Sequence, residues 1–265
     1  MKANYRGSYC TKSTFIEYLV FIVLILAACG CQASKEGQLI LSGERSYAIG
    51  QYESSVAQFN QAIEMNPSSY SAYKGRAQAY TKMGKFKKAL LDYNKAIEID
   101  PELPDAFFAR AEVYERTGQR SKALNDLYRT IEIEPRFSSP YCTRGKFYLK
   151  NRQFELALAD INECIRIRTR YGLDRQNLLV DPYTMLALVW SEKRQHDKAV
   201  YYIKEALRIN PKEARVYLWG SMVLENKGEI DHACEYMEKY LEIIPWDKKG
   251  QKRLIILRDK LSNDS

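Results

Sequence analysis

The chain has 265 residues, of which 46% are apolar and 28% charged, proportions that fit a folded protein and exclude a disordered one. The formal charge is +8, yet no block of five or six like charges occurs, and Lys and Arg alternate with Asp and Glu along the chain. That mixing excludes the basic patch or stripe by which a protein grips nucleic acid. The 20 tyrosines are many, and they must either fill a core or line a surface.

Residues 1–28 have the form of a secretory signal. Lys2, Arg6 and Lys12 precede an apolar run from Tyr18 to Ala28, about eleven residues long, where a membrane span needs about twenty. The alternative is a short anchor that stays uncleaved. Removing the signal takes away Lys2, Arg6, Lys12 and Glu17 and leaves a charge of +6.

Beyond a short tether at 29–35, prolines set a period. Pro67, Pro101 and Pro135 are 34 residues apart, as are Pro211 and Pro245. The gap from Pro135 to Pro211 is two periods plus eight residues, which places one insertion near 170–179. Thr169 stands where the fourth unit would carry proline, so its second helix is expected to run on for an extra turn or more before a loop. Six units begin near Glu36, Tyr70, Pro104, Ser138, Val180 and Ala214. Across the units small residues recur where two helices must approach and aromatics recur between them; in most, a mid-unit glycine suits a helix end and a closing proline stops the second helix. A unit of this length cannot bury its apolar face alone, so neighbours must stack and the last must be covered. Residues 248–265 supply that cover, with Leu254, Ile255, Leu257 and Leu261 on an otherwise charged helix.

The second unit resembles the tetratricopeptide repeat at Tyr73, Ala77, Tyr80, Gly84, Ala89, Tyr93, Ala96 and Pro101. The third follows with Phe107, Ala111, Tyr114, Gly118, Ala123 and Pro135, and the resemblance extends over residues 36–247. It implies an all-α, right-handed superhelix of six helix-turn-helix repeats with a C-terminal capping helix. In that family the outward positions of each first helix face a groove that holds partner segments. The matching residues are Lys74, Gln78, Phe108, Glu112, Lys146, Leu188, Leu218 and Met222, and they vary between units while the packing positions repeat. A clamp used by some members for acidic chaperone tails would need Asn, Lys and Arg where this chain has Ile40, Glu44, Gly75, Asp105 and Ala109, so that ligand is not implied. Leu26-Ala27-Ala28-Cys29 resembles the bacterial lipobox, which implies a lipidated Cys29. Cys31 competes, but it would place Ala28 rather than Leu26 three residues upstream.

A second pattern runs inside the repeats. Arg76, Arg110 and Arg144 share one place in the first helix of units two to four, and Asp92, Asp126 and Asp160 share one place in the second. Units one, five and six lack both residue types, so the two arrive and vanish together, as contact partners would. Their expected role is a structural ladder; an anion-binding row is the rival. After processing, Cys31, Cys142, Cys164 and Cys234 remain, and an exported protein can form disulfides. Cys142 and Cys164 occupy helical positions where small apolar residues pack, in no framework spacing, so buried free thiols are expected. The two histidines, His196 and His232, are too few for a metal site, and no nucleotide-binding or hydrolase motif is present.

No enzyme activity, cofactor or metal is therefore expected. The expected function is a scaffold that binds other envelope proteins or their peptide segments, lipid-anchored to a bacterial membrane and facing the periplasm or exterior. The alternative is an envelope glycan- or peptidoglycan-binding protein with a tyrosine-rich groove.

Overall fold

The computed structural model describes residues 34–172 and 177–263, and these form 13 α-helices with no strand. Twelve of them make six antiparallel pairs: α1 (Lys35–Ala48) with α2 (Tyr52–Met65), α3 (Tyr70–Lys82) with α4 (Phe86–Ile99), α5 (Pro104–Arg116) with α6 (Arg120–Ile133), α7 (Ser138–Lys150) with α8 (Phe154–Arg170), α9 (Val180–Glu192) with α10 (His196–Ile209), and α11 (Ala214–Lys227) with α12 (Ile230–Ile243). The last, α13 (Lys248–Asn263), packs on α12. The all-α repeat fold expected from the sequence is the fold observed. The pairs fall into two compact units that divide after Ile99. Among the described residues no helix is long and apolar enough to cross a membrane. Cys29 and the rest of 1–33 lie outside the described residues, as do 173–176 within the insertion.

Each pair turns by the same device. One residue past the first helix takes a left-handed conformation: Gly50, Gly84, Gly118 and Gly228, with φ of +79°, +72°, +76° and +89°. The next residue then donates its N–H to the carbonyl five positions back, as in Gln51 to Ser46, Lys85 to Tyr80 and Gln119 to Tyr114, each at 2.8 Å. This satisfies a carbonyl that the helix end leaves free. The fourth and fifth pairs place Arg152 and Arg194 there, both at φ +58°, and make the same bond. The turn is thus imposed by packing even where the residue disfavours it.

The second helices supply the deepest core position. Phe59, Tyr93, Leu127, Ile161, Ile203 and Met237 follow the repeat register, and none is more than 1% exposed. Their neighbours are small: Ala62, Ala77, Ala89, Ala96, Ala123, Ala187, Ala199, Ala206 and Ala233 are all sealed from solvent. Close helix approach therefore rests on alanines, with one large side chain per pair filling the gap. The inserted residues lengthen α8 to 17 residues against 14 in α6, an extra turn as the missing proline predicts. Arg168, near the end of α8, donates to the Leu178 carbonyl and to Ser138 Oγ, which holds the returning chain.

One expectation is corrected. Cys142 on α7 and Cys164 on α8 form a disulfide, with Cα atoms 5.5 Å apart, rather than standing as free thiols. The pair lies within one hairpin, Cys142 two residues before Arg144 and Cys164 four after Asp160, partners that the same hairpin already brings together. Matching positions hold Phe108 and Thr130, or Lys74 and Ala96, so nothing in the repeat pattern singled the two cysteines out. Cys234 is a buried free thiol, as expected, and burial raises its pKa.

Candidate functional site

The arginines and aspartates meet inside each repeat, 16 residues apart. Arg76 Nε and Nη2 donate to Asp92 Oδ2 and Oδ1 at 2.8 and 2.7 Å. Arg110 grips Asp126 at the same two distances, and Arg144 grips Asp160 at 2.7 and 2.8 Å. Two parallel N–H···O bonds are the strong form of this contact. The carboxylates are buried, at 5–6% exposure, and the guanidinium groups are largely covered. At Arg76 the bonds to Asp92 lead in raising the guanidinium pKa. At Arg110 and Arg144 burial pulls the pKa down, and the carboxylate more than reverses it.

Each cation is also held from the side. Arg76 Nη1 donates to Asn60 Oδ1 on the preceding repeat at 2.7 Å, and Arg144 lies 4.6 Å from the Tyr128 ring centre of the preceding repeat. Arg110 sits over Phe107 and Tyr114. This geometry ties first helix to second and, at Arg76 and Arg144, one repeat to the next.

The outward row of the first helices has a different character. In the compact unit that ends at Ile99, Lys74 and Gln78 are half-buried on α3. In the compact unit that follows Ile99, Glu112 and Lys146 are exposed, Leu188 is half-buried, and Met222 is 37% exposed. Two residues of the row are more covered than their positions suggest. Leu218 is half-buried against the cluster of Ala214, Leu224 and Met237. Phe108 is half-buried edge-on against Phe137, with centroids 5.1 Å apart, because the loop before α7 folds over it.

Glu112 and Lys146 also belong to a cleft of about 490 Å³ lined by Glu115, Arg116, Arg120 and Lys150. Four of these six side chains are cationic. Glu115 pairs with Lys150 at 3.2 Å and stands 3.9 Å from Lys146, so the cleft keeps a net positive lining. Arg116 and Lys150 escape sequence reasoning because they sit one turn beyond the outward positions, and Arg120 because it opens α6; they meet only when α5 and α7 lie side by side. Tyr93, Tyr114 and Tyr148 are buried, Tyr128 and Tyr201 are exposed on second helices, and Tyr70 is exposed at the start of α3. Among the described residues no three His, Cys, Asp or Glu side chains gather as metal ligands would.

Family models for the TPR repeat match residues 43–84 and 77–118, and models for the tetratricopeptide repeat match 138–171, 180–213 and 214–245. The chain belongs to the tetratricopeptide repeat family. Among curated sequences none matches. The tetratricopeptide fold is shared with PilW, described as a widely conserved type IV pilus biogenesis factor, at 18% identity and TM-score 0.71, covering 83% of this chain and 99% of that one. It is shared with YrrB, a TPR protein with an unusual peptide-binding site, at 18% identity and TM-score 0.57, covering 74% and 96%. A chain of the Cut9–Hcn1 complex of APC/C aligns at 14% identity and TM-score 0.73 over 91% of this chain; this chain spans 45% of that longer one. Tetratricopeptide repeats of this kind form a protein–protein interaction scaffold.

Proposed function

We propose that the chain is an envelope adaptor, lipidated at Cys29, that holds a protein segment against the outward row of its first helices. The observation that carries this reading is the division of labour between positions. Every Arg–Asp pair is consumed inside its repeat, while the row of Glu112, Lys146, Leu188 and Met222 stays at least partly open and changes chemistry from repeat to repeat. Met is enriched at interfaces, which makes the exposed Met222 the natural anchor of the row. The cationic cleft beside Glu112 suits a carboxylate of the segment, and Leu188 and Met222 suit its apolar side chains. A peptide-binding site on YrrB makes a segment, rather than a whole domain, the natural ligand class.

The lipid anchor rests on the Leu26–Cys29 motif, and the Cys142–Cys164 disulfide supports an exported location, since disulfides persist in oxidising compartments. Two acyl chains suffice for stable anchoring. Mass spectrometry of the membrane-fraction protein should show acylation at Cys29, and Cys29→Ser should accumulate the unprocessed precursor. A mature N-terminus elsewhere overturns the anchor. A photo-crosslinking residue at Lys146 or Met222 should capture a discrete partner, whereas one at Leu156 or Tyr201, exposed on second helices, should not. Equal capture from both sets overturns the row.

A further inference from the structure

The helix α13 has two faces that differ in kind. Its inner face buries Leu257 fully and sets Gly250 and Leu254 against α12. The charges around that face all find partners within the chain: Arg253 and Lys260 pair with Glu225, and Arg258 pairs with Glu238 at 2.8 Å. The outer face carries Lys252, Ile255, Ile256 and Asp259, all exposed, with Ile255 at 59% and Ile256 at 47%. Spacings of three and four residues put these four on one stripe two turns long. Lys252 and Asp259 have no ion-pair partner among the described residues.

We propose that this stripe pairs with the same stripe of a second copy of the chain, antiparallel, about a two-fold axis passing between Ile255 and Ile256. The order of the residues is the reason. Turning the stripe end for end lays Ile255 on Ile256 of the second copy and Lys252 opposite Asp259 of the second copy, twice over. A two-fold contact requires such a self-complementary patch, because each residue must suit the one it meets under the rotation. A parallel pairing would instead set Lys252 against Lys252 and Asp259 against Asp259. An apolar centre flanked by opposite charges is also the usual anatomy of an interface, with the charges at the rim. The contact does not draw on the outward row of the first helices, so it stands or falls apart from the partner-binding reading above.

The paired surface covers only two turns of helix from each chain, well under the roughly 1,600 Å² of stable complexes, which sets the dimer at the weak end, with a dissociation constant on the order of 10–100 µM. Sedimentation velocity of the full chain in a non-ionic detergent, over a concentration series, should show reversible dimerisation. Ile256→Asp should abolish it, with circular dichroism unchanged because the side chain is exposed in the single chain. Lys252→Asp and Asp259→Lys should each weaken it roughly tenfold, since each sets two like-charged contacts across the axis. Mixing the two charge variants should restore association as a heterodimer, in which both contacts are again opposite in sign. A wild type that stays monomeric to about 1 mM overturns the proposal and assigns the face to a different protein. Association that survives Ile256→Asp, or charge variants that weaken alone and fail to recover on mixing, overturns it equally.

Discussion

Gly75→Ala should destabilise the protein, although replacing a helical glycine by alanine at an open site stabilises by about 1 kcal/mol. The ring of Phe59 is the cause. It is 1% exposed and projects from α2 toward α1 and α3. A Cβ on Gly75 would lie 2.3 Å from Phe59 Cζ, and a Cβ on Gly43 from the other side would lie 2.8 Å from the same atom. Ordinary contact begins near 3.4 Å, so the ring would have to retreat by more than an ångström toward a helix that already touches it. Overpacking of this kind costs about 1–3 kcal/mol, and a ring closed in on both sides belongs in the upper half of that range. Subtracting the helix-propensity gain leaves a net loss of about 1–2 kcal/mol, or roughly 2–8 °C in Tm for a protein of this size. Thermal and urea unfolding by circular dichroism read the effect directly. A second variant identifies its source. Phe59→Leu alone should destabilise by about 1 kcal/mol, yet Gly75→Ala with Phe59→Leu should cost less than the sum of the two by at least about 1 kcal/mol. A Gly75→Ala protein as stable as wild type, or a strictly additive double variant, would refute the reasoning.

Three further expectations concern other parts of the molecule. Arg144→Ala should cost about 3 kcal/mol by stranding a buried carboxylate, and a double-mutant cycle should couple Arg144 to Asp160 by more than about 1 kcal/mol while leaving Asp126 additive. Arg152→Gly should stabilise by about 0.5 kcal/mol, because relief of the left-handed backbone outweighs the exposed pair with Glu192, whereas Arg152→Ala should bring no gain; equal effects of the two would count against backbone strain. The Tyr240 hydroxyl donates to Asp247 at 2.7 Å and, with the Lys249 amide at 3.0 Å, holds that carboxyl below its ordinary range. A depressed folded pKa contributes stability that is complete above the unfolded value near 4 and is lost as pH falls through the lowered one. Asp247→Asn should therefore make unfolding less acid-sensitive below about pH 4, and Tyr240→Phe should raise the Asp247 carboxyl pKa in an NMR titration; an unchanged titration would remove the hydroxyl from the account.

The repeat was legible in the amino acids because it is a one-dimensional regularity. Prolines every 34 residues mark where second helices stop and small residues mark where helices touch; the pair count and the long α8 follow from these, and the fold class from the resemblance to the tetratricopeptide repeat. The joint presence and absence of Arg76, Arg110 and Arg144 with Asp92, Asp126 and Asp160 likewise announced contact. What periodicity cannot supply is who touches whom across a hairpin. Only the antiparallel register shows each arginine meeting the aspartate 16 residues on, and the same register closes Cys142 onto Cys164. Departures from the repeat were decided by neighbours as well. Arg152 and Arg194 take a conformation that suits glycine because the packed hairpin leaves no other turn. Phe108, outward by register, is half-covered because Phe137 arrives from a loop. A helical period states which way a side chain points; what lies there is set by the next element, and that depends on how the elements pack.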